Sequence, residues 1–391
     1  MVIPSSSPRL VRVLLVVDSL QVGGAERHVV DLASTLHRKG YEVEVACSIT
    51  DGLSKPLEEA GVPVRPLTRR LVKRRVSLAY TRGIRKLLRE GRFDVVHAHI
   101  YASAAAAAIA TRGTGLPLVI TEHTEASWQN LWAHLFSRWT YRRARRIISV
   151  STPIERRLIE RDGVSPQLIT LIPNAVIPAS GNPPDLADTL PDGWSERPLV
   201  GVVARLQPEK GVATFVKAAA HASKISPEVR FLVVGDGPLR EELLDLVGRV
   251  GLRERVRFLG YRADARALTG LLDVLVVPSL TEGSPLIVLE AMAAGVPVVA
   301  SAVGGIPDQV RHGEEGVLVP PDDPDALAGA LGALLGDPAL ARRLGEAGRR
   351  RTENEFSHEA LVRRIEAVYR AALGGENAQD GAREPEVPSA R

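Results

Sequence analysis

Residues Val277 to Gly305 read VPSLTEGSPLIVLEAMAAGVPVVASAVGG. The apolar run from Val274 to Val277 ends at Pro278, a Gly-Ser-Pro turn follows, and a helix is expected from about Pro285 through LIVLEAMAAG before a second β-branched run at Val296 to Ala300. A short buried strand, a helix and another buried strand form the βα repeat of a parallel sheet covered on both faces. Glu282 and Glu290 flank the turn, the first in the loop and the second inside the helix. Between them the N–H groups of Gly283, Ser284, Leu286 and Ile287 stand at a helix start, where donors lack an intrahelical carbonyl and suit a phosphate. The carboxylates on either side can accept hydrogen bonds from sugar hydroxyls. Ordinary capping would account for Glu282, but not for Glu290, whose charge in an otherwise apolar helix is costly without a partner.

The same alternation extends outward in both directions. Strands are expected at Leu199 to Ala204, Arg230 to Val234, Val256 to Leu259, Val274 to Val277, Val296 to Ala300 and Gly316 to Val319. An earlier series falls at Val11 to Val17, Glu42 to Cys47, Val62 to Arg65, Asp94 to His97, Leu116 to Ile120, Ile147 to Val150 and Leu168 to Ile172. The fold class is therefore α/β, with two Rossmann-like doubly wound domains facing a cleft, and 391 residues suit two domains of roughly 100 to 200 residues each. The proline-rich stretch Val176 to Pro198 lacks any sustained period and marks the linker. The expected division is 1–180 for the first domain, 181–197 for the linker and 198–355 for the second domain. Residues 356–373 are expected as a helix packing back on the first domain, and 374–391 as a polar disordered tail.

Ligands of open α/β sheets bind outside the carboxyl ends of the strands. After the first strand stands Gly23-Gly24-Ala25-Glu26-Arg27-His28, a turn that can admit a phosphate or serve as a plain tight connection. Arg205-Leu206-Gln207-Pro208-Glu209-Lys210-Gly211 follows the first strand of the second series and puts two cations at a strand end and a helix start. Gly235-Asp236-Gly237-Pro238 repeats the pattern one strand later.

Composition narrows the function classes. Apolar residues make up 45% and charged residues 25%, the balance of a globular protein with large cores. Cys47 is the one cysteine, which excludes an intramolecular disulfide and a thiolate metal cluster. The N-terminal apolar run contains Arg9 and Arg12 and leads straight into a patterned domain, so it reads as a strand and not a signal peptide. No stretch is long enough to span a membrane. Residues 1–180 carry 26 Lys+Arg against 15 Asp+Glu, while the remainder carries 24 against 31. The basic excess is densest from Arg65 to Arg92, a stretch that can meet an anionic membrane or form a solvated helix face. Nucleic acid is not expected as a partner, since aromatics are only 4% and no recognition motif accompanies the charge. His97 and His99 share a strand face, but a metal reading finds no third ligand in the sequence. Asp322-Asp323 reads as a helix cap.

These residues resemble the GT-B glycosyltransferases, and among them the large retaining group known as family 4 or group 1. The resemblance rests on Arg205, Lys210-Gly211, Gly235-Asp236-Gly237-Pro238, Gly260, Pro278-Ser279, Glu282-Gly283, Pro285, Glu290-Ala291, Gly295, Pro297-Val298-Val299 and Gly304-Gly305. It spans most of residues 12–370. It departs at Asn174-Ala175-Val176-Ile177, where the family has Asn-Gly-Val-Asp.

The resemblance implies a metal-independent transferase that moves a hexose-type sugar from a nucleotide-sugar donor to a glycan, lipid-linked or small-molecule acceptor with retention. Domain 198–355 would bind the donor. Arg205 and Lys210 would lie on the diphosphate, Glu282 on the transferred sugar, Glu290 on the ribose, and the backbone around Tyr261 and Arg262 on the base. Gly23, Gly24, Gly235, Gly283, Ser284, Pro285 and Leu286 would complete the donor site. His123, in Thr121-Glu122-His123-Thr124, would face the reacting centre with His99 and Glu122 on the acceptor side. No cofactor is expected, because the two cations replace the metal of other transferase folds as the leaving diphosphate gains charge. A cytoplasmic location follows, peripheral on the inner face of the membrane if the basic stretch binds it. An epimerase or hydrolase of the same fold, or a non-catalytic scaffold that binds nucleotide-sugars, is the alternative.

Overall fold

The computed structural model describes residues 10–21, 23–50, 52–72, 77–124, 131–177, 190, 193–194 and 196–374. Most of the expected linker, the expected tail beyond Gly374, and residues 73–76 of the basic stretch lie outside the described residues. The chain forms two compact units, Met1–Pro173 with Glu359–Arg391, and Asn174–His358.

The first unit holds a seven-stranded sheet of β1 (Arg12–Val17), β2 (Glu42–Cys47), β3 (Val64–Pro66), β4 (Val95–His99), β5 (Leu118–Glu122), β6 (Arg146–Ser149) and β7 (Ile169–Leu171). Their spatial order is β3-β2-β1-β4-β5-β6-β7, with parallel pairing throughout. The second unit holds six strands, β8 (Leu199–Val203), β9 (Arg230–Val234), β10 (Val256–Gly260), β11 (Val274–Val277), β12 (Val298–Ser301) and β13 (Gly316–Val319). Their order, β10-β9-β8-β11-β12-β13, repeats the first sheet's and is again parallel. In each sheet the winding reverses beside the first strand, between β1 and β4 and between β8 and β11. Those two switch points are where an open α/β sheet leaves a crevice at the carboxyl ends of its strands.

Every strand in the sequence reading is present, with β2, β9, β11 and β13 at the expected bounds. The informative discrepancy is at β4 and β5, which run on to His99 and Glu122, two residues past the expected ends. Pairing of Ala98 with Ile120 and of His99 with Thr121 carries the ladder through polar residues that look like loop in an apolar pattern. Both faces of each sheet are covered. In the second unit Val200, Val202, Val233 and Val276 pack with Phe215, Val216, Leu327 and Leu331 on one side. Leu275, Val277 and Val298 pack with Val288, Leu289 and Met292 on the other. Fully burying one such side chain contributes about 1.5–3 kcal/mol.

After Asp323 the chain is helical, Pro324–Gly336, Pro338–Glu355 and His358–Ala372. Asp323 Oδ1 caps the first of these, accepting from the N–H groups of Asp325 and Ala326 at 3.1 and 2.9 Å. The last helix buries Leu361, Val362, Ile365, Val368 and Tyr369, and Glu366 on it pairs with Lys39 at 2.8 Å. Among the described residues no helix is long and apolar enough to cross a membrane.

Candidate active site

In the second unit, the loops that follow β8 and β11 clasp one another. Pro208–Lys210 is a single helical turn, and Glu209 O accepts from Leu280 N at 2.9 Å. Lys210 Nζ lies 2.6 Å from Glu282 Oε1, and Ser279 Oγ donates to the same oxygen at 2.7 Å. Both charged side chains are largely enclosed, at 20% and 10% exposure, which shields the pair from solvent screening. The sequence reading gave Lys210 and Glu282 separate duties; the fold couples them. Arg205, by contrast, is exposed.

The turn between Glu282 and the helix Leu286–Ala293 is held from several sides. Gly283 O accepts from Gly305 N at 3.0 Å, and Ser284 O accepts from Asn174 Nδ2 at 2.7 Å. Gln309 Nε2 donates to Ser284 Oγ at 3.0 Å and to Pro285 O at 3.3 Å. Gly304, at φ +52, lies so close that a Cβ there would run into Glu282 O. With Pro285 as N-cap, the N–H groups of Leu286, Ile287 and Val288 have no carbonyl inside the helix to pair with and form a fixed set of donors. Asn174 opens the segment in which the sequence departs from the family pattern. Its side chain donates to Ser284 O, and Ala175 needs no glycine because its φ is not positive.

Glu290 is buried in that helix at 7% side-chain exposure, with Arg266 Nε 3.9 Å from its Oε1. Arg266 belongs to the short helix Ala265–Thr269 and was not singled out from the sequence. Gly235 follows β9 at φ +130, but its N–H is committed to Gly260 O at 2.8 Å and a Cβ would strike Ala204 O. Its lack of a side chain serves the meeting of two strand ends, and its N–H is already in use. Tyr261 is 57% exposed beyond β10, and Arg262 makes a two-pronged contact with Asp264 at 2.8 and 2.7 Å.

In the first unit the corresponding strand ends carry four histidines. Gly23 is the N-cap of the helix Gly24–Arg38, whose first turns bring His28 inward, and His97, His99 and His123 come from β4 and the end of β5. All four are buried, at 0–7% exposure. His97 is fixed between Tyr369 Oη and Thr121 Oγ1, both at 2.7 Å. His99 Nδ1 lies 3.1 Å from His123 Nε2. Burial, with His123 nearby, holds the His97 pKa down to about 3, and burial takes His123 to about 4. His99 also lies well below the usual imidazole range, through burial first and then the neighbouring imidazoles. His97, His99 and His123 are therefore neutral imidazoles at neutral pH. The sequence showed no third partner for the His-x-His pair; the helix after Gly23-Gly24 supplies His28.

Glu122 is 2% exposed, and its Oε2 accepts from Tyr141 Oη at 2.6 Å and pairs with Arg157 at 3.5 Å. Arg157 also pairs with Asp162 at 3.2 Å, and His134 reaches the same carboxylate at 3.2 Å. The carboxylate that the sequence suggested for the acceptor side is thus turned into a buried charge network. In the basic stretch, the helix Leu78–Glu90 buries Tyr80, Ile84 and Leu88 in the core. Its apolar face is used, and a basic surface with Arg82, Lys86 and Arg89 is left to solvent.

Comparison with known proteins gives one consistent answer. The Glycosyltransferase Family 4 profile matches residues 22–180, and the Glycosyl transferases group 1 profile matches residues 192–351. The D-inositol 3-phosphate glycosyltransferase of Rhodococcus jostii is 30% identical over 409 residues, covering 94% of this chain and 90% of that protein. The glycogen synthase of Mycobacterium tuberculosis is 29% identical over 388 residues, covering 91% and 92%. Among solved structures, Anabaena Alr3699/HepE in complex with UDP superposes with a TM-score of 0.77 at 24% identity, covering 91% of this chain and 98% of that one. The sucrose-phosphate synthase of Thermosynechococcus elongatus superposes with a TM-score of 0.76 at 25% identity, covering 92% and 98%. The two parallel sheets of seven and six strands match the GT-B fold of these neighbours.

Proposed function

We propose that this chain, which belongs to the group 1 glycosyltransferases of family 4, moves a hexose-type sugar from a nucleoside-diphosphate sugar to a glycan, lipid-linked or small-molecule acceptor with retention of anomeric configuration. One observation carries the reading: the Lys210–Glu282 pair, the helix-start donors of Leu286 to Val288 and the buried Glu290 all gather at the carboxyl ends of β8 and β11. The N–H donors and Lys210 suit a diphosphate, with Arg205 free to close on it from its exposed position. Glu282, held by Lys210 and Ser279, keeps its second carboxylate oxygen for a sugar hydroxyl. Glu290 takes the ribose.

As the bond to the leaving diphosphate breaks, negative charge grows on its oxygens. Arg205, Lys210 and the helix donors are positioned to meet that charge, which is the task a metal performs in other transferases. His123 is the residue of the first unit that serves the transfer step, as a neutral imidazole. The basic face of Leu78–Glu90 draws the protein to an anionic surface on the cytoplasmic side by charge alone, since its apolar stripe is buried in the core.

The test is to incubate the protein with a set of nucleotide-sugars, with and without candidate acceptors, and to follow nucleotide release and product anomers by NMR. Acceptor-dependent release with the donor's anomeric configuration in the product is the expected result. Equal release without acceptor would replace transfer by hydrolysis, and inversion would overturn the retaining assignment.

A further inference from the structure

We propose that His28, His99 and His123 form a binding site for a first-row divalent transition metal, Zn²⁺ foremost, within the first unit. The three side chains arrive from separate elements, the helix Gly24–Arg38, the end of β4 and the residue after β5, and one ring nitrogen of each lies within 4.8 Å of the others. The rings form a nearly equilateral triangle, with centroids 5.5 Å apart for His28–His99, 5.1 Å for His28–His123 and 5.4 Å for His99–His123. Three imidazoles on a tetrahedral zinc, with Zn–N of roughly 2.0–2.1 Å, have centroids roughly 5.2 Å apart and ligating nitrogens roughly 3.3 Å apart. His99 Nδ1 and His123 Nε2 are already 3.1 Å apart, so rotation of the rings closes the remaining gap without a change of fold.

The chemistry of the cluster agrees. A metal needs the neutral imidazole, and all three rings are buried from water. The adjacent His97 is not a ligand, because both its nitrogens are taken by Tyr369 and Thr121; its ring lies 4.1 Å from that of His99, tilted by 36°. Ile100, immediately after His99, stands at φ +70, a conformation costly for a β-branched residue and fitting for a point where the backbone is held to aim a side chain. An all-imidazole set selects zinc, cobalt, nickel or copper over magnesium or calcium. Three protein ligands leave a fourth position for water.

This metal is no part of the proposed transfer. His123 cannot hold it and serve the transfer step together, so the ion acts as an inhibitor that a chelator lifts. Binding is tested directly, apart from activity. The full chain, stripped with EDTA and desalted, is titrated with Co²⁺ while the visible bands of tetrahedral cobalt are followed, and Zn²⁺ is then added to displace them. One equivalent with tetrahedral bands is expected, with at least a ten-fold loss of affinity in His28→Gln and none in His221→Gln, an exposed histidine of the other unit. X-ray absorption of the zinc-loaded unsubstituted protein, which needs no variant to fold, should show three imidazoles at about 2.0–2.1 Å. Absence of stoichiometric binding, unchanged affinity in a folded His28→Gln protein, or a shell with fewer than three imidazoles overturns the proposal.

Discussion

Lys210 Nζ and Glu282 Oε1 meet at 2.6 Å across the loops that follow β8 and β11, two neighbouring strands of the second sheet. The pair fixes a cation and a carboxylate where a diphosphate and its sugar are proposed to lie. Removing either partner leaves the other enclosed and uncompensated, so the two act as a unit. Lys210→Met and Glu282→Gln are each expected to lower kcat/KM by about a hundred-fold or more. The double variant should lose little beyond the worse single one. Steady-state kinetics on the four proteins checks this; losses that multiply would mean that the residues act independently.

The histidine cluster makes acid stability a readout of burial. His97 and His123 titrate near 3 and 4 in the folded chain, below the roughly 6.5 of an unfolded chain. As pH falls below about 6.5 the unfolded chain takes up protons first, so stability is full above that pH and is lost toward 4 and 3. Each such histidine contributes up to about 1.4 kcal/mol per pH unit in that window. Urea melts between neutral pH and pH 4 should show this slope, and His97→Gln should flatten it. A slope that His97→Gln leaves unchanged would place the acid sensitivity elsewhere.

Arg157 stands between the carboxylates of Glu122 and Asp162, at 3.5 and 3.2 Å, with 9% of its side chain exposed. Burial raises the Asp162 pKa against the pull of Arg157, so the network already carries a desolvation cost. Arg157→Leu should destabilise by about 3–5 kcal/mol, because two buried carboxylates lose their counter-charge. Glu122→Gln, which keeps the shape and one acceptor oxygen, should cost less and leave the acceptor KM unchanged. Thermal melts and acceptor titrations separate the two; a raised acceptor KM with normal stability would return Glu122 to the acceptor.

On the helix Leu78–Glu90, Arg82 and Lys86 face solvent. Arg82→Gln and Lys86→Gln should each weaken binding to vesicles rich in anionic lipid by about five-fold, roughly 1 kcal/mol per cation. Binding to neutral vesicles should be absent throughout. Cosedimentation checks this, and equal binding by all the proteins would remove the surface from the account.

Much of the fold is legible because apolar β-branched runs of four to six residues, separated by Gly, Pro and amphipathic stretches, can be little else than parallel strands. The site is legible where a residue is at odds with its surroundings, as Glu290 is in an apolar helix. What the sequence hides is pairing at a distance. His97 and Tyr369 meet across 272 residues, and Lys210 and Glu282 across 72. His28 sits at helical spacing among Val29, Leu32 and Leu36 and looks like core until the fold turns it toward His99 and His123. Gly235 shows the opposite limit: the glycine stands out in the sequence as a place for a ligand to approach, and the space beside it is filled by Ala204 O of its own chain.

The central claim, a nucleoside-diphosphate site built on Lys210, Glu282 and Glu290, is tested most directly by thermal shift with UDP, GDP, ADP, CMP and dTDP, with and without EDTA, on the unsubstituted protein and on Glu290→Gln. A ligand at 100 times its dissociation constant adds about 2.7 kcal/mol. One diphosphate should raise the melting temperature, EDTA should leave that shift intact, and Glu290→Gln should weaken the binding by about ten-fold. No shift with any nucleotide, or a shift that Glu290→Gln does not reduce, would contradict the assignment of this site.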